Sequence, residues 1–135
     1  MTFRVQIVTP DGLFFDGQVE RLTVPTIDGQ VGILARHVNY VTALGMGPAK
    51  ILTPDGERVA ACIGGMIAVT NGEAKVVATT FEWADQIDVA RAQASLERAR
   101  AELAVPNLDP VTMQVHKARQ NRALVRLNVA KNAAK

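Results

Sequence analysis

A chain of 135 residues that is 48% apolar but only 4% aromatic is one ordinary domain, or a compact domain with an appendage, and is too short for a large enzyme. Its core must therefore come from Val, Ile, Leu and Ala. The net charge of +2 hides a split: residues 1–88 carry 6 Lys+Arg against 10 Asp+Glu, a net of −4, and residues 89–135 carry 9 against 3, a net of +6. A basic tail of this kind points to an acidic partner, which could be a protein face, a nucleic acid or a nucleotide.

A single cysteine, Cys62, excludes an internal disulfide, and the opening "MTFRVQIVTPDG" lacks the regions of a secretory signal. The expectation is a reduced, cytosolic chain. The longest apolar run, "VAACIGGMIAV" at 59–69, is too short to span a bilayer, so membrane association is expected only through a partner.

In chain order, "FRVQIV" alternates Phe3, Val5 and Ile7 with polar neighbours, the period of a strand with one wet face. "TPDG" follows at 9–12 and recurs at 53–56; proline presets the turn and Asp-Gly tolerates the reversal. Further strands are expected at 19–24, 30–34, 49–53, 58–63, 66–70 and 74–79, with Asn71-Gly72 as a hairpin turn. Short strands with frequent turns favour an all-β antiparallel sandwich, and no helix of useful length fits before residue 85.

After Ile87 the period becomes helical. Val89, Ala92, Leu96, Ala99 and Leu103 are spaced 3, 4, 3, 4 along one side of a helix. Pro106 and Pro110 end it, and Asp109-Pro110 is a good N-cap and N1 pair for a second helix from about Val111 to Lys131. That helix places Val111, Val115, Ala118, Val125 and Val129 on one side, with Arg122 interrupting the stripe and Arg126 one turn on. The fold class is thus a β-sandwich domain, 1–84, followed by an antiparallel two-helix hairpin, 85–135.

No arrangement of residues reads as an active site. His37 and His116 have no ligand partners at metal-binding spacing, and Cys62 has no basic neighbour to activate it. "GLFFDGQV" at 12–19 spaces two glycines like a Walker loop, but Gln18-Val19 stand where Lys and Ser/Thr must be. The tail has no aromatic residue to stack on bases, which argues against nucleic acid.

The whole chain resembles the epsilon subunit of bacterial F-type ATP synthases. The resemblance rests on the order of "VQIVTPDGLFFDGQVERLTVPTIDGQVGIL", "HVNYVTAL", "IGGMIAV", "FEWADQIDVARA" and the terminal "RALVRLNVA". It implies a non-catalytic rotor subunit of the central stalk of a proton-translocating enzyme, peripheral on the cytoplasmic face of the bacterial plasma membrane. The implied partners are the gamma subunit and the c-subunit ring for the sandwich, and the alpha and beta subunits of the catalytic head for the hairpin. In such proteins the hairpin folds down on the sandwich or extends into the head, where it restrains ATP hydrolysis. The resemblance implies no obligatory cofactor, but some relatives bind ATP as a regulatory ligand through Ile/Leu-Asp-x-x-Arg-Ala and arginines of the second helix. The matching residues are Ile87, Asp88, Arg91, Ala92, Arg122 and Arg126, with Glu82 ahead of the motif.

Two positions depart from the family pattern. Ala35-Arg36 stand before His37 where Pro-Gly is common, and Met66 follows the Gly-Gly pair where a larger residue is usual. The same motif also has a purely local reading, in which Asp88 caps a helix, Ile87 and Ala92 form a small staple, and Asp88 and Arg91 are an ordinary i, i+3 pair. Rival functions are a free-standing ATP sensor, which would not associate with gamma, and a basic nucleic-acid adaptor, which would bind oligonucleotides in a steeply salt-dependent way. A small hydrolase would need a nucleophile and base that the sequence does not arrange.

Overall fold

The computed structural model describes residues 1–133; the last two residues of the expected hairpin lie outside the described residues. Two compact units divide between Ala84 and Asp85.

The first unit has eight strands: β1 (Phe3–Thr9), β2 (Gly12–Val19), β3 (Arg21–Thr26), β4 (Gly29–Leu34), β5 (Tyr40–Ala43), β6 (Met46–Thr53), β7 (Gly56–Thr70) and β8 (Glu73–Trp83). They form one hydrogen-bonded path, β2-β1-β8-β7-β6-β3-β4, with β5 on β7, folded over a core that includes Val5, Ile7, Val19, Leu22, Val24, Ile33, Ile51, Ile67 and Val76. Aliphatic residues dominate that core, as the composition requires. Neighbours are antiparallel except β1 and β8, which run parallel from Val5↔Ala74 to Val8↔Val77. This is the parallel exception in a sandwich expected to be antiparallel, and the rest of the unit forms the long crossover that such a pairing needs.

Three hairpins use one turn chemistry. In Thr9–Gly12, Thr26–Gly29 and Thr53–Gly56 the Thr hydroxyl accepts from the Asp N–H, at 3.3, 3.1 and 3.2 Å, and donates to the Gly carbonyl. Each closing glycine has positive φ (116°, 111° and 133°), which disfavours any side chain there. The middle copy, "TIDG", lacks the proline that makes the other two conspicuous. Asn71 and Gly72, at φ 52° and 78°, make the expected reversal between β7 and β8.

The runs expected at 58–63 and 66–70 are one strand, β7, bent at Gly64-Gly65. Its first half pairs with β6 and its second half with β5, while β8 follows it along both halves. On β8 the buried set changes phase from Ala74, Val76 and Ala78 to Phe81 and Trp83, opposite the glycine pair. A strand that passes between two packed layers needs such a corner, and glycine permits it.

In the second unit a short 3-10 turn (Ala84–Gln86) leads to α1 (Val89–Leu103), and a brief link leads to α2 (Pro110–Ala133). Asp88 Oδ1 accepts from Arg91 N at 3.0 Å, and Asp109 Oδ2 from Thr112 N at 3.1 Å, so both expected N-caps form. On α1 the buried residues are Ala92, Leu96 and Ala99, as the spacing requires.

The expected stripe of α2 is only partly buried. Val111 and Val115 are 72% and 49% exposed, whereas Ala123 and Val129 are buried. His116 and Arg119, each one residue after a stripe position, are the side chains that meet α1. Helical spacing groups them with Thr112, Ala123 and Ala130, a seam about 100° around the helix from the apolar one. At the start of α2 these two polar side chains, not the valines, face Glu102 of α1.

Candidate functional site

The residues of "IDVARA" occupy the start of α1. Ile87, just before the cap, and Ala92, in the first turn, are both buried and give the helix entry an apolar anchor. Asp88 and Arg91 are exposed, and the cap occupies one carboxylate oxygen of Asp88. Of the local reading of these residues, the Asp88 cap is realised through the backbone N–H of Arg91. It leaves the Arg91 guanidinium and the second Asp88 oxygen on the surface side of the first turn.

Arg122 and Arg126 are half-buried on α2. The register of the hairpin follows from Glu102, whose Oε2 lies 2.7 Å from His116 Nδ1 and 3.4 Å from Arg119 Nη1. Counting along antiparallel helices from those contacts sets Arg126 opposite the turn containing Gln93, and Arg122 opposite the turn containing Glu97. Arg91 and Arg126 then stand within about one turn of each other along the axis, with Arg122 one turn further. Glu82 is half-buried on β8, opposite Ala61, and so belongs to the first unit.

This set has the chemistry of an anion site. Guanidinium groups hold phosphate oxygens through paired, charge-assisted hydrogen bonds, and a carboxylate accepts from an exocyclic amine or orients an arginine.

Sequence reasoning missed Glu102, His116 and Arg119. His116 Nδ1 is buried, has no well-formed hydrogen bond, and faces the Glu102 carboxylate. The available signal was charge scarcity, since Glu102 is one of three acids in residues 89–135 and stands just before the link.

Elsewhere the chemistry is structural. His37 Nδ1 lies 2.8 Å from the Val38 carbonyl oxygen, and its ring lies edge-on to Tyr40. Burial pushes the Cys62 thiol up to about 12, which removes its nucleophilicity at neutral pH. Among the described residues no group of three or more His, Cys, Asp or Glu could hold a metal, and no helix is long and apolar enough to cross a membrane.

The sandwich carries an exposed apolar region. Val41 (63%) and Met66 (52%) share a face of the β5–β7 pair, and Leu34 and Val38 flank the loop that leads into β5. Arg36 in that loop has φ 63°, the left-handed conformation that glycine adopts without strain.

Comparison with known proteins follows the same division. Residues 2–84 match the β-sandwich domain of the ATP synthase delta/epsilon chain, and residues 85–131 match its long α-helix domain. The chain is 34% identical over 131 residues to an ATP synthase epsilon chain of Shouchella clausii, covering 97% of this chain and 96% of that one. It is 35% identical over 128 residues to an epsilon chain of Caldicellulosiruptor bescii, covering 95% and 93%. Among solved structures, a chain of the Euglena gracilis mitochondrial ATP synthase, imaged as OSCP/F1/c-ring, superposes with a TM-score of 0.79 at 21% identity, covering 99% of this chain and 82% of that one. A chain of the Tetrahymena thermophila mitochondrial ATP synthase central stalk and c-ring gives 0.64 at 17% identity, covering 96% and 97%. The two matched domains together span nearly the whole chain, and the chain belongs to the ATP synthase delta/epsilon family as an epsilon-type, non-catalytic subunit of that enzyme.

Proposed function

We propose that this subunit works in the central stalk of a proton-translocating ATP synthase on the cytoplasmic face of a bacterial membrane, and that its hairpin is a nucleotide-gated brake on ATP hydrolysis. The sandwich docks on the gamma subunit and the c-subunit ring through the apolar region around Leu34, Val38, Val41 and Met66. An exposed apolar surface is what a stable rotor contact would cover. The basic hairpin reaches acidic surfaces of the alpha and beta subunits when it opens, guided by long-range attraction that salt weakens.

ATP holds the hairpin closed in this reading. Arg91 of α1 with Arg122 and Arg126 of α2 bind the phosphates across the helix pair, and Asp88 accepts from the adenine amino group or orients Arg91. Because these groups lie on both helices, ATP binds the closed hairpin in preference to the open one. A ligand shifts an equilibrium only through such a difference. The observation that supports the reading is the hairpin register, which sets Arg126 opposite the N-terminal half of α1, where Asp88 and Arg91 stand, and Arg122 opposite its middle.

The experiment is to measure ATP hydrolysis by the synthase assembled with the full chain or with a chain ending after residue 86. The brake predicts faster hydrolysis without the hairpin, most of all at low ATP. Equal rates at all ATP concentrations would refute it. A free-standing sensor is disfavoured because both domains match the delta/epsilon chain along nearly the full length.

A further inference from the structure

The nine basic residues of residues 89–135 are balanced by three acids with different tasks. Asp109 caps α2 and Glu97 accepts from Gln93 one turn earlier on its own helix, whereas Glu102 reaches across to α2. Its Oε2 meets two groups there: His116 Nδ1 at 2.7 Å and Arg119 Nη1 at 3.4 Å, the second also a hydrogen bond. The three side chains are 38%, 16% and 39% exposed, so the cluster is screened less than a bare surface pair.

At this end of the hairpin α1 offers the buried Ala99 and the half-buried Leu103, but the first turns of α2 supply little apolar surface to match them. The apolar residues in the first turns of α2, Val111 and Val115, are largely exposed, and the first fully buried side chain of α2 is Ala123, two turns beyond His116. Helix pairs ordinarily hold together by burying an apolar stripe. Here a carboxylate shared between two groups adds a polar closure at the loop end.

We propose that Glu102 is a latch: its contacts with His116 and Arg119 set how much of the time α1 and α2 stay closed. Where the hairpin also binds nucleotide, a consequence that rests on the function proposed above, the latch tunes that affinity from a distance. Asp88 and Glu102 are separated by about 21 Å along α1, so Glu102 does not touch the nucleotide. It acts on the closed fraction, and apparent affinity falls in proportion to that fraction. Glu102 is therefore a positioning residue. The hairpin would carry two polar closures, a built-in one beside the link and a ligand-dependent one at the far end.

The test is amide hydrogen exchange of the full chain, without nucleotide, for the wild type, Glu102→Gln and the charge swap Glu102→Arg with Arg119→Glu. The latch predicts exchange about tenfold faster in residues 98–119 of Glu102→Gln, unchanged protection in the strands, and partial recovery in the swap. It also predicts that 1 M salt accelerates exchange in the wild type more than in Glu102→Gln. Exchange in Glu102→Gln within twofold of wild type would overturn the latch, and so would loss that the swap fails to rescue while far-UV helicity is intact. Apparent ATP affinity should drop by the same factor as closure. If the wild type binds no ATP, the nucleotide reading fails, while the exchange data still decide the latch.

Discussion

The guanidinium carbon of Arg58 lies 3.7 Å from the centroid of the Trp83 ring, the sandwich's tryptophan, whose other neighbours are Phe14, Phe15 and Phe81. The cation covers the end of an aromatic cluster in a core otherwise dominated by aliphatic residues. Replacing it removes both the attraction to the ring face and the packing of the arginine stem. Arg58→Ala should destabilise the sandwich by about 0.5–2 kcal/mol. Urea unfolding followed by Trp83 fluorescence should show a lower midpoint and, before unfolding, red-shifted emission.

Gly65 is where β7 turns its corner. A Cβ there would lie 2.1 Å from the Val77 carbonyl oxygen, and its φ is 121°. Backbone cannot yield as a flexible side chain can, so Gly65→Ala should cost about 2–5 kcal/mol. Gly12→Ala, also at positive φ but with no atom within 4 Å, should cost only about 1–2 kcal/mol. Thermal unfolding of the two variants separates the steric contribution from the backbone one.

Arg36 stands in the left-handed region, which glycine adopts without strain. With φ 63° it carries a strain that a glycine would not. Arg36→Gly should leave stability unchanged or raise it by up to about 1 kcal/mol, the relief of strain being partly offset by a more flexible unfolded chain. A melting temperature lower by several degrees would mean that the arginine side chain makes a contact that outweighs its backbone.

Asp109 is a charged cap. Hydrogen bonds from Thr112, first from its side chain and then from its backbone N–H, hold the carboxyl below the usual carboxylate range. A lowered value means that the folded state favours the ionised form. The stabilisation is therefore fully present above about pH 4, the ordinary aspartate value, and fades as pH falls through the lower folded-state value. Asp109→Asn keeps a cap that does not titrate. Far-UV circular dichroism from pH 6 to pH 2 should show the wild-type helices weakening through an acid step that is smaller in Asp109→Asn, and Asp109→Ala should be less helical than either at pH 6.

Much of this architecture is legible in residue order because local rules and tertiary needs agree. Asp88 and Asp109 are strong caps, Asn71-Gly72 is a strong turn, and the spacing of Ala92, Leu96 and Ala99 gives the packed face of α1 without ambiguity. β2 was obscured because "GLFFDGQV" has glycines at both ends of a poorly alternating run, and β5 because it is four residues long. The rotation of α2 could not be read from hydrophobicity. Its apolar stripe is buried at Val129 but exposed at Val111 and Val115, and there Glu102, fourteen residues before His116, meets the neighbouring seam instead. For the candidate site, the motif residues Asp88, Arg91, Arg122 and Arg126 are legible in residue order, whereas their register along the hairpin follows from the Glu102 contacts, which no local pattern encodes.

The most direct measurement is a calorimetric titration of the full chain with ATP and with ADP, repeated on Asp88→Ala and Arg126→Ala. The account predicts saturable binding that prefers ATP and is lost or weakened at least tenfold in both variants, with each still folded. No heat at millimolar ATP would contradict it, leaving Asp88 as a helix cap and the hairpin under the control of rotation and the ion-motive force.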